Sequence, residues 1–399
     1  MMGKRKIGFL ISSLDEGGMG RVLETLSLGL SDDKYEQYII LLIKDRAINY
    51  KYKGNLLYVS SEGKSWFGKA KAFVKRIKKV TEIKKRYNFD IVVSFGVNKN
   101  FINHITRYKE CIIMTQHNVA SIEHRNWGWY GKFCDLLLKS YNGGDAIVSV
   151  SKFVDNDLRI AYKINNPNMK VIYNGINIKK IRQQAEEIVD IKFMKHKVNL
   201  ICLARLTEVK GIWHIVKIMS ILREIIPDIQ LLIVGDGEQK KYLQNLAVEL
   251  GVDDVVVFLG YKKNPFPYIK NSDVFIFPSI YEGFSMAFLE AMALGVPVIA
   301  TDCKSGPREV LADNANYDET LTYALDAKYG ILIPVMKKFT ESSKHDIELE
   351  EKICADAIVG LLTNRDKISY YSKYAFERAA FFSQERMVSE YEKIFNELL

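Results

Sequence analysis

The 399-residue sequence contains no apolar run near the roughly 20 residues that span a bilayer, which excludes a membrane-spanning helix from the expected architecture. The early apolar stretch Ile7 to Leu14 is too short for such a helix, and no signal-type cleavage site follows it. Cysteine is scarce and scattered: Cys111, Cys134, Cys202, Cys303 and Cys354 lack the paired spacing of a zinc site or a disulfide framework, so a reducing cytoplasm is expected. Short-period repeats and low-complexity tracts are missing. A dinucleotide fingerprint is missing as well: the glycine-rich stretch near the amino terminus is not followed by a ribose-binding acid near residue 40, which argues against a nicotinamide oxidoreductase.

What is present is globular. Hydrophobic residues make up 48% and charged residues 26% of the chain, and the length exceeds what one core usually organises, so two domains are expected. Short apolar or β-branched runs alternate with amphipathic helical patterns: Lys6 to Ile11, Gln37 to Ile43, Asp90 to Phe95, Cys111 to Thr115, Asp145 to Val150 and Lys170 to Tyr173, then Asn199 to Leu203, Gln230 to Val234, Val255 to Leu259, Asp273 to Phe277, Val296 to Thr301 and Gly330 to Pro334. Such alternation predicts two α/β domains, each a doubly wound parallel sheet with helices on both faces. Asn174-Gly175 signals a turn, and the polar stretch after it lacks strand character. The predicted division is therefore 1–177, a linker at 178–197, a second domain at 198–369, and carboxy-terminal helices at 370–399 packing back on the first. In open α/β sheets ligands bind beyond the carboxyl ends of the strands, so a ligand is expected in a central cleft that the two sheets face.

Several segments stand where such ligands bind. Gly17 and Gly18 follow the first strand and lead into a helix, whose free N–H groups and partial positive charge suit an anion. Ala204-Arg205-Leu206-Thr207-Glu208-Val209-Lys210-Gly211 follows the strand ending at Leu203, and its two cations can converge on a diphosphate. Pro278 to Met292 follows the strand ending at Phe277, with Glu282 in the loop, Gly283 to Met286 at the start of a helix and Glu290 within it; a carboxylate is a ready acceptor for sugar or ribose hydroxyls. Gly235 marks the turn after another strand, either for close approach to a ligand or as a plain turn. Asp155-Asn156-Asp157, which looks like a D-x-D metal motif, falls inside a predicted helix from Ser151 and reads as a solvated face.

These segments resemble the retaining glycosyltransferases of the two-Rossmann-domain (GT-B) type, family 4 (group 1), of the bacterial envelope or lipid-linked glycan kind. Glu282 and Glu290 match the family's E-x7-E motif, Arg205 and Lys210 its R-x4-K pair, and Cys303 to Val310 a later family segment. The resemblance implies that Arg205 and Lys210 hold the donor phosphates, Gly17 and Gly18 close over the diphosphate, Glu290 takes the ribose and Glu282 the transferred sugar. Gly283, Phe284, Ser285, Met286 and Gly235 line the donor, and His117 faces the sugar. Ser285 stands where the family usually has glycine. The implied reaction moves a hexose or N-acetylhexosamine from a nucleotide sugar, UDP-linked by preference and GDP-mannose as the other option, to a lipid-linked or envelope glycan. Anomeric configuration is retained, with neither a metal nor another cofactor. A non-catalytic accessory subunit is the competing expectation, but it would have lost one or more of Arg205, Lys210, Glu282 and Glu290.

The net charge of +9 calls for an anionic partner. The segment Lys64 to Arg86 concentrates cations among Trp66, Phe67, Phe73, Ile77, Val80 and Ile83, which suits an anionic membrane surface and predicts a peripheral protein on the inner face of the plasma membrane. An ordinary basic surface helix has the same pattern. Nucleic acid is not expected, since no binding motif accompanies the charge.

Overall fold

The computed structural model describes residues 3–15, 17–44, 46–60, 66–189, 197–312, 319–338 and 345–399, with side chains from residue 71 onward in the helix that begins at Trp66. Glu16, Lys64, Ser65 and residues 190–196 of the expected linker lie outside the described residues, as do the side chains of Trp66 and Phe67. The chain forms two compact units, Met1–Gly175 with Gln384–Leu399, and Ile176–Ser383.

The first unit is built on seven parallel strands: β1 (Arg5–Ile11), β2 (Tyr35–Ile43), β3 (Asn55–Ser60), β4 (Ile91–Phe95), β5 (Cys111–Gln116), β6 (Ala146–Ser149) and β7 (Met169–Val171). They are ordered β3-β2-β1-β4-β5-β6-β7. Steps from β3 to β4, β4 to β5 and β5 to β6 all advance in one direction, so right-handed crossovers put helices Trp66–Tyr87, Val97–Ile105 and Trp129–Leu138 in one layer. The continuous apolar runs of β1, β2 and β4 follow from burial on both faces. Leu10, Ile40 and Val92 pack with Val80 and Ile83 of helix Trp66–Tyr87, each buried side chain contributing about 1.5–3 kcal/mol.

The second unit has β8 (Val198–Leu203), β9 (Ile229–Val234), β10 (Val256–Gly260), β11 (Val274–Phe277), β12 (Val298–Thr301), β13 (Leu325–Ala327) and β14 (Gly330–Ile333), ordered β10-β9-β8-β11-β12-β14-β13. Only the edge strand β13 runs antiparallel to its neighbour. Both sheets reverse strand order at the corresponding place, between β1 and β4 in one and between β8 and β11 in the other.

The strands expected from the sequence are present with ends shifted by a few residues, and two more appear at sheet edges, β3 and β13. β3 is largely half-exposed and β13 has three residues, so neither carries the buried apolar run that marks a central strand.

The domain ends differ from the expected ones. Helix Ile178–Gln184 lies inside the expected linker but belongs to the second unit, where Asn264 Nδ2 donates to the Gln184 carbonyl at 2.8 Å. Helix Arg365–Phe381 also stays with the second unit: Tyr371, Ala375 and Ala379 are buried, and Arg378 donates to the carbonyls of Glu309 (2.8 Å) and Val310 (3.0 Å). Only helix Gln384–Leu398 packs on the first unit, burying Tyr391 and Phe395, with Gln384 Nε2 donating to the Thr25 carbonyl at 2.6 Å.

Candidate active site

In the second unit the site grows from the adjacency of β8 and β11. These strands are far apart in sequence but paired in the sheet, so the turns leaving their carboxyl ends emerge side by side. Arg205 is exposed just beyond β8, and among the described residues no acid pairs with it. Lys210 sits in the short 3-10 turn Glu208–Lys210, which ends at Gly211 with φ 62°, where a Cβ would run into the Pro278 carbonyl. Glycine at 211 therefore lets the Lys210 turn lie against the loop after β11. Lys210 Nζ pairs with Glu282 Oε1, and the same oxygen accepts from Ser279 Oγ at 3.0 Å.

The loop that carries Glu282 is held from below. Thr301 Oγ1 donates to the Ser279 carbonyl, Ser305 Oγ to the Gly283 carbonyl, and Phe284 packs its ring 5.6 Å from Phe382. Arg308, buried, pairs with Asp302 through Nε at 2.6 Å, which fixes the turn that presents Ser305. Gly283, Phe284 and Ser285 lie in this loop, and Met286 caps helix Ala287–Ala293. Glu290, in the first turn of that helix, is buried at 5% exposure.

Gly235 has a different explanation from close approach to a ligand. Its φ is 141°, and a Cβ there would collide with the Ala204 carbonyl, while one on Gly237 would meet the Leu206 backbone. These glycines let the turns after β8 and β9 nest, and so hold the backbone on either side of Arg205.

In the first unit, Gly17 caps helix Gly18–Gly29 with φ 99°, and nothing lies within 4 Å of a Cβ placed on Gly17 or Gly18. This open glycine turn follows β1, at the reversal of strand order. Across it, Gly96 after β4 has φ 88°, and a Cβ there would stand 3.3 Å from Lys99 Nζ and 3.5 Å from Met19 Sδ. His117 follows β5, next in the sheet, and stacks on Phe95 with ring centroids 5.6 Å apart. Its Nε2 lies 2.7 Å from Thr115 Oγ1, whose own hydrogen goes to the Ser94 carbonyl at 2.8 Å. The hydroxyl must therefore accept, which assigns the proton to Nε2 and leaves Nδ1 as an acceptor. Burial, helped by the nearby Lys99 charge, pushes the His117 pKa down to about 3, so the ring is neutral. Burial also lowers Lys99, to about 8, against the opposing pull of Glu123.

Lys99 was not among the residues singled out from the sequence. Its signal was Ser94-Phe95-Gly96 closing a strand and opening a helix, a weaker form of the Gly17 turn.

Two acidic groups prove structural. Asp155 is buried and accepts from Arg159 Nε at 2.7 Å, and Asp157 accepts from the Ser121 N–H at 3.1 Å, so the expected helix is there but its acids are not a solvated face. Among the described residues, His214, Glu348 and Glu351 are close enough to share a cation. Yet His214 Nδ1 lies 2.6 Å from Glu351 Oε1 and Nε2 2.9 Å from the Lys337 carbonyl, so both nitrogens meet acceptors. Lys217 Nζ, 2.9 Å from Glu351, already supplies a cation there.

The basic helix turns its apolar side inward. In Trp66–Tyr87, Val80 and Ile83 are in the core, Phe73 stacks on Phe101 at 6.3 Å, and Lys84 is buried on Glu110 at 2.6 Å. Lys71, Lys75, Lys78, Lys79 and Lys85 remain exposed, with Val74 exposed among them, so from residue 71 onward the outer surface of this helix is mostly charged.

Comparison with known proteins agrees with this architecture. Residues 16–180 match the model of Glycosyltransferase Family 4, and residues 183–320 that of Glycosyl transferases group 1. An uncharacterized glycosyltransferase of Methanocaldococcus jannaschii is 31% identical over 335 residues, 80% of this chain and 82% of that protein. The N-acetylgalactosamine-N,N'-diacetylbacillosaminyl-diphospho-undecaprenol 4-alpha-N-acetylgalactosaminyltransferase of Campylobacter jejuni is 28% identical, over 78% of this chain and 84% of its own length. The crystal structure of Anabaena HepE in complex with UDP and glucose superposes with a TM-score of 0.72 at 17% identity, covering 98% of this chain and all of HepE, which indicates a common GT-B fold. Matched in both halves by models of one enzyme class, and 31% identical to a relative of which it covers 82%, the chain belongs to glycosyltransferase family 4, the group 1 glycosyltransferases.

Proposed function

We propose that this glycosyltransferase is a metal-independent, retaining enzyme that moves a hexose or N-acetylhexosamine from a UDP-sugar to a lipid-linked or envelope glycan. The observation that carries this reading is the pairing of Lys210 with Glu282 where β8 and β11 end side by side, with Arg205 exposed in the turn after β8. Two cations and the Glu282 carboxylate offer one place for a sugar diphosphate: Arg205 through its fork, Lys210 as a point charge, Glu282 toward sugar hydroxyls, and Glu290 toward the ribose. His117, neutral with Nδ1 as acceptor, suits a hydroxyl of the transferred sugar. UDP is favoured by the ligand of HepE, and a lipid-linked glycan acceptor by the name of the Campylobacter relative.

On this reading the acceptor oxygen attacks the anomeric carbon from the face the diphosphate leaves, the C1–O bond to phosphate breaks, and a phosphate oxygen takes the acceptor proton. Arg205 and Lys210 stabilise the negative charge growing on the departing diphosphate, commonly the largest catalytic term. These cations do the work that a divalent metal would otherwise do.

The test is a panel of UDP- and GDP-sugars read by thermal shift and turnover, with and without EDTA, and with the product's anomeric configuration assigned by NMR. The expected result is stabilisation by one UDP-sugar and an EDTA-resistant, configuration-retaining transfer. Stabilisation by GDP-mannose alone, an inverted product, or a loss of turnover restored by magnesium would each remove the corresponding part of the proposal.

A further inference from the structure

Helix Trp129–Leu138 is apolar on two sides. Gly131, Cys134, Leu137 and Leu138 face inward. A Cβ on Gly131 would collide with the His124 carbonyl, so this helix crosses close against helix Ala120–Asn126, and His124 Nδ1 to Asp135 Oδ1 at 2.6 Å pins the crossing. The outer side is apolar too. Trp129 is 73% and Leu136 59% exposed, with Phe133 between them at helical spacing and Trp127 and Tyr130 beside them. Ring centroids 5.7 Å apart for Trp127–Tyr130, 6.1 Å for Trp129–Tyr130 and 6.3 Å for Tyr130–Phe133 make these side chains one continuous ridge.

A helix apolar on its outer as well as its inner side has a face left to cover, and a contiguous exposed apolar surface marks a binding face. The charge on this face is mainly positive. Arg125, Lys132 and Lys139 are exposed, and among the described residues none of the three has an acidic partner. The acids of the stretch are engaged in the fold, Glu123 accepting from Asn118 at 2.9 Å and Asp135 from His124. A hollow of about 580 Å³ opens beside Trp129, lined by Arg125 and Lys132 and also by Asp135.

We propose that this ridge inserts into the interfacial region of an anionic lipid bilayer, with Arg125, Lys132 and Lys139 on lipid phosphates and the hollow beside Trp129 receiving a headgroup. Tryptophan and tyrosine rings, apolar in body and polar at one edge, favour that depth, and cations around them favour anionic lipid. A second copy of the chain fits less well, because a twofold contact would set three cations against the same three. Helix Trp66–Tyr87, in the same layer, contributes charge, while its Val80 and Ile83 are used in the core. The proposal is independent of the donor and acceptor named above.

The experiment uses the full chain with vesicles of phosphatidylcholine containing phosphatidylserine, some acyl chains brominated, and reads tryptophan quenching and co-sedimentation. The chain has four tryptophans, of which Trp213 is buried in the second unit and Trp66 lies on the basic helix. Quenching is expected to persist in Trp66→Phe and to vanish in Trp127→Phe/Trp129→Phe. Each of Arg125→Gln, Lys132→Gln and Lys139→Gln should weaken co-sedimentation about fivefold, so the triple variant should bind on the order of a hundredfold more weakly. Phe133→Ser/Leu136→Ser should lose binding with its circular dichroism unchanged. Quenching that follows Trp66, vesicle binding unchanged in the Ser variant, or a concentration-dependent dimer that the Ser variant abolishes would each overturn the assignment.

Discussion

Lys210 offers the sharpest separation of folding from catalysis. Its ammonium rests on Glu282 Oε1, with side-chain exposures of 18% and 12%, so the pair is mostly but not fully withdrawn from water. Lys210→Met removes the cation while keeping most of the stem's volume. It leaves Glu282 with Ser279 Oγ at 3.0 Å and some access to solvent, so the stability cost should be about 2 kcal/mol, between that of an exposed pair and a buried one. If the ammonium also stabilises the departing diphosphate, kcat should fall by roughly 10²–10³, about 3–4 kcal/mol. Lys210→Met/Glu282→Gln, which removes both charges, should recover most of the lost stability without recovering turnover. Urea unfolding gives the first quantity, and donor turnover at saturating UDP-sugar, corrected for folded fraction, gives the second. A kcat within about threefold of wild type in folded Lys210→Met would refute the role given to this cation.

Arg205→Ala should lower kcat/KM by a comparable factor and leave the urea midpoint unchanged, since the side chain is exposed and no acid among the described residues pairs with it. His117 has a folded pKa of about 3, below its unfolded value near 6.5, so as pH falls through 6.5 the unfolded chain takes up a proton that the folded one does not. Wild type should therefore lose stability on acidification, by about 2 kcal/mol at pH 5 from this group, and His117→Gln should lack that component in a pH series of urea unfolding. Gly235→Ala should destabilise by about 2 kcal/mol or more, because a methyl at φ 141° meets the Ala204 carbonyl; a melting temperature equal to wild type would show that the turns do not nest as described.

Local chemistry made much of this protein legible without coordinates. Central parallel strands are buried on both faces and read as unbroken apolar runs, so β1, β4, β8, β9 and β11 could be placed from composition alone. The edge strands β3 and β13 escaped because an edge buries only part of itself. Arg205 and Lys210, or Glu282 and Glu290, are neighbours along the chain, and their spacing is visible in one dimension. The pairing of Lys210 with Glu282 across 72 positions is not, because it depends on β11 pairing with β8 in the sheet. Periodicity likewise shows that helices 66–87 and 129–138 carry apolar residues, but not which way they point. Packing turned Val80 and Ile83 into the core and left Trp129 and Leu136 outside it. The two carboxy-terminal helices are consecutive in sequence, yet Arg365–Phe381 stayed with the second unit and Gln384–Leu398 joined the first. Side-chain fit accompanies that choice, the Arg378 guanidinium donating to the carbonyls of Glu309 and Val310 in one unit, and Gln384 to that of Thr25 in the other. Sequence determines which segments become strands, helices and glycine turns because those preferences are local; tertiary structure decides which of them meet, because burial and hydrogen bonding are settled between segments distant along the chain.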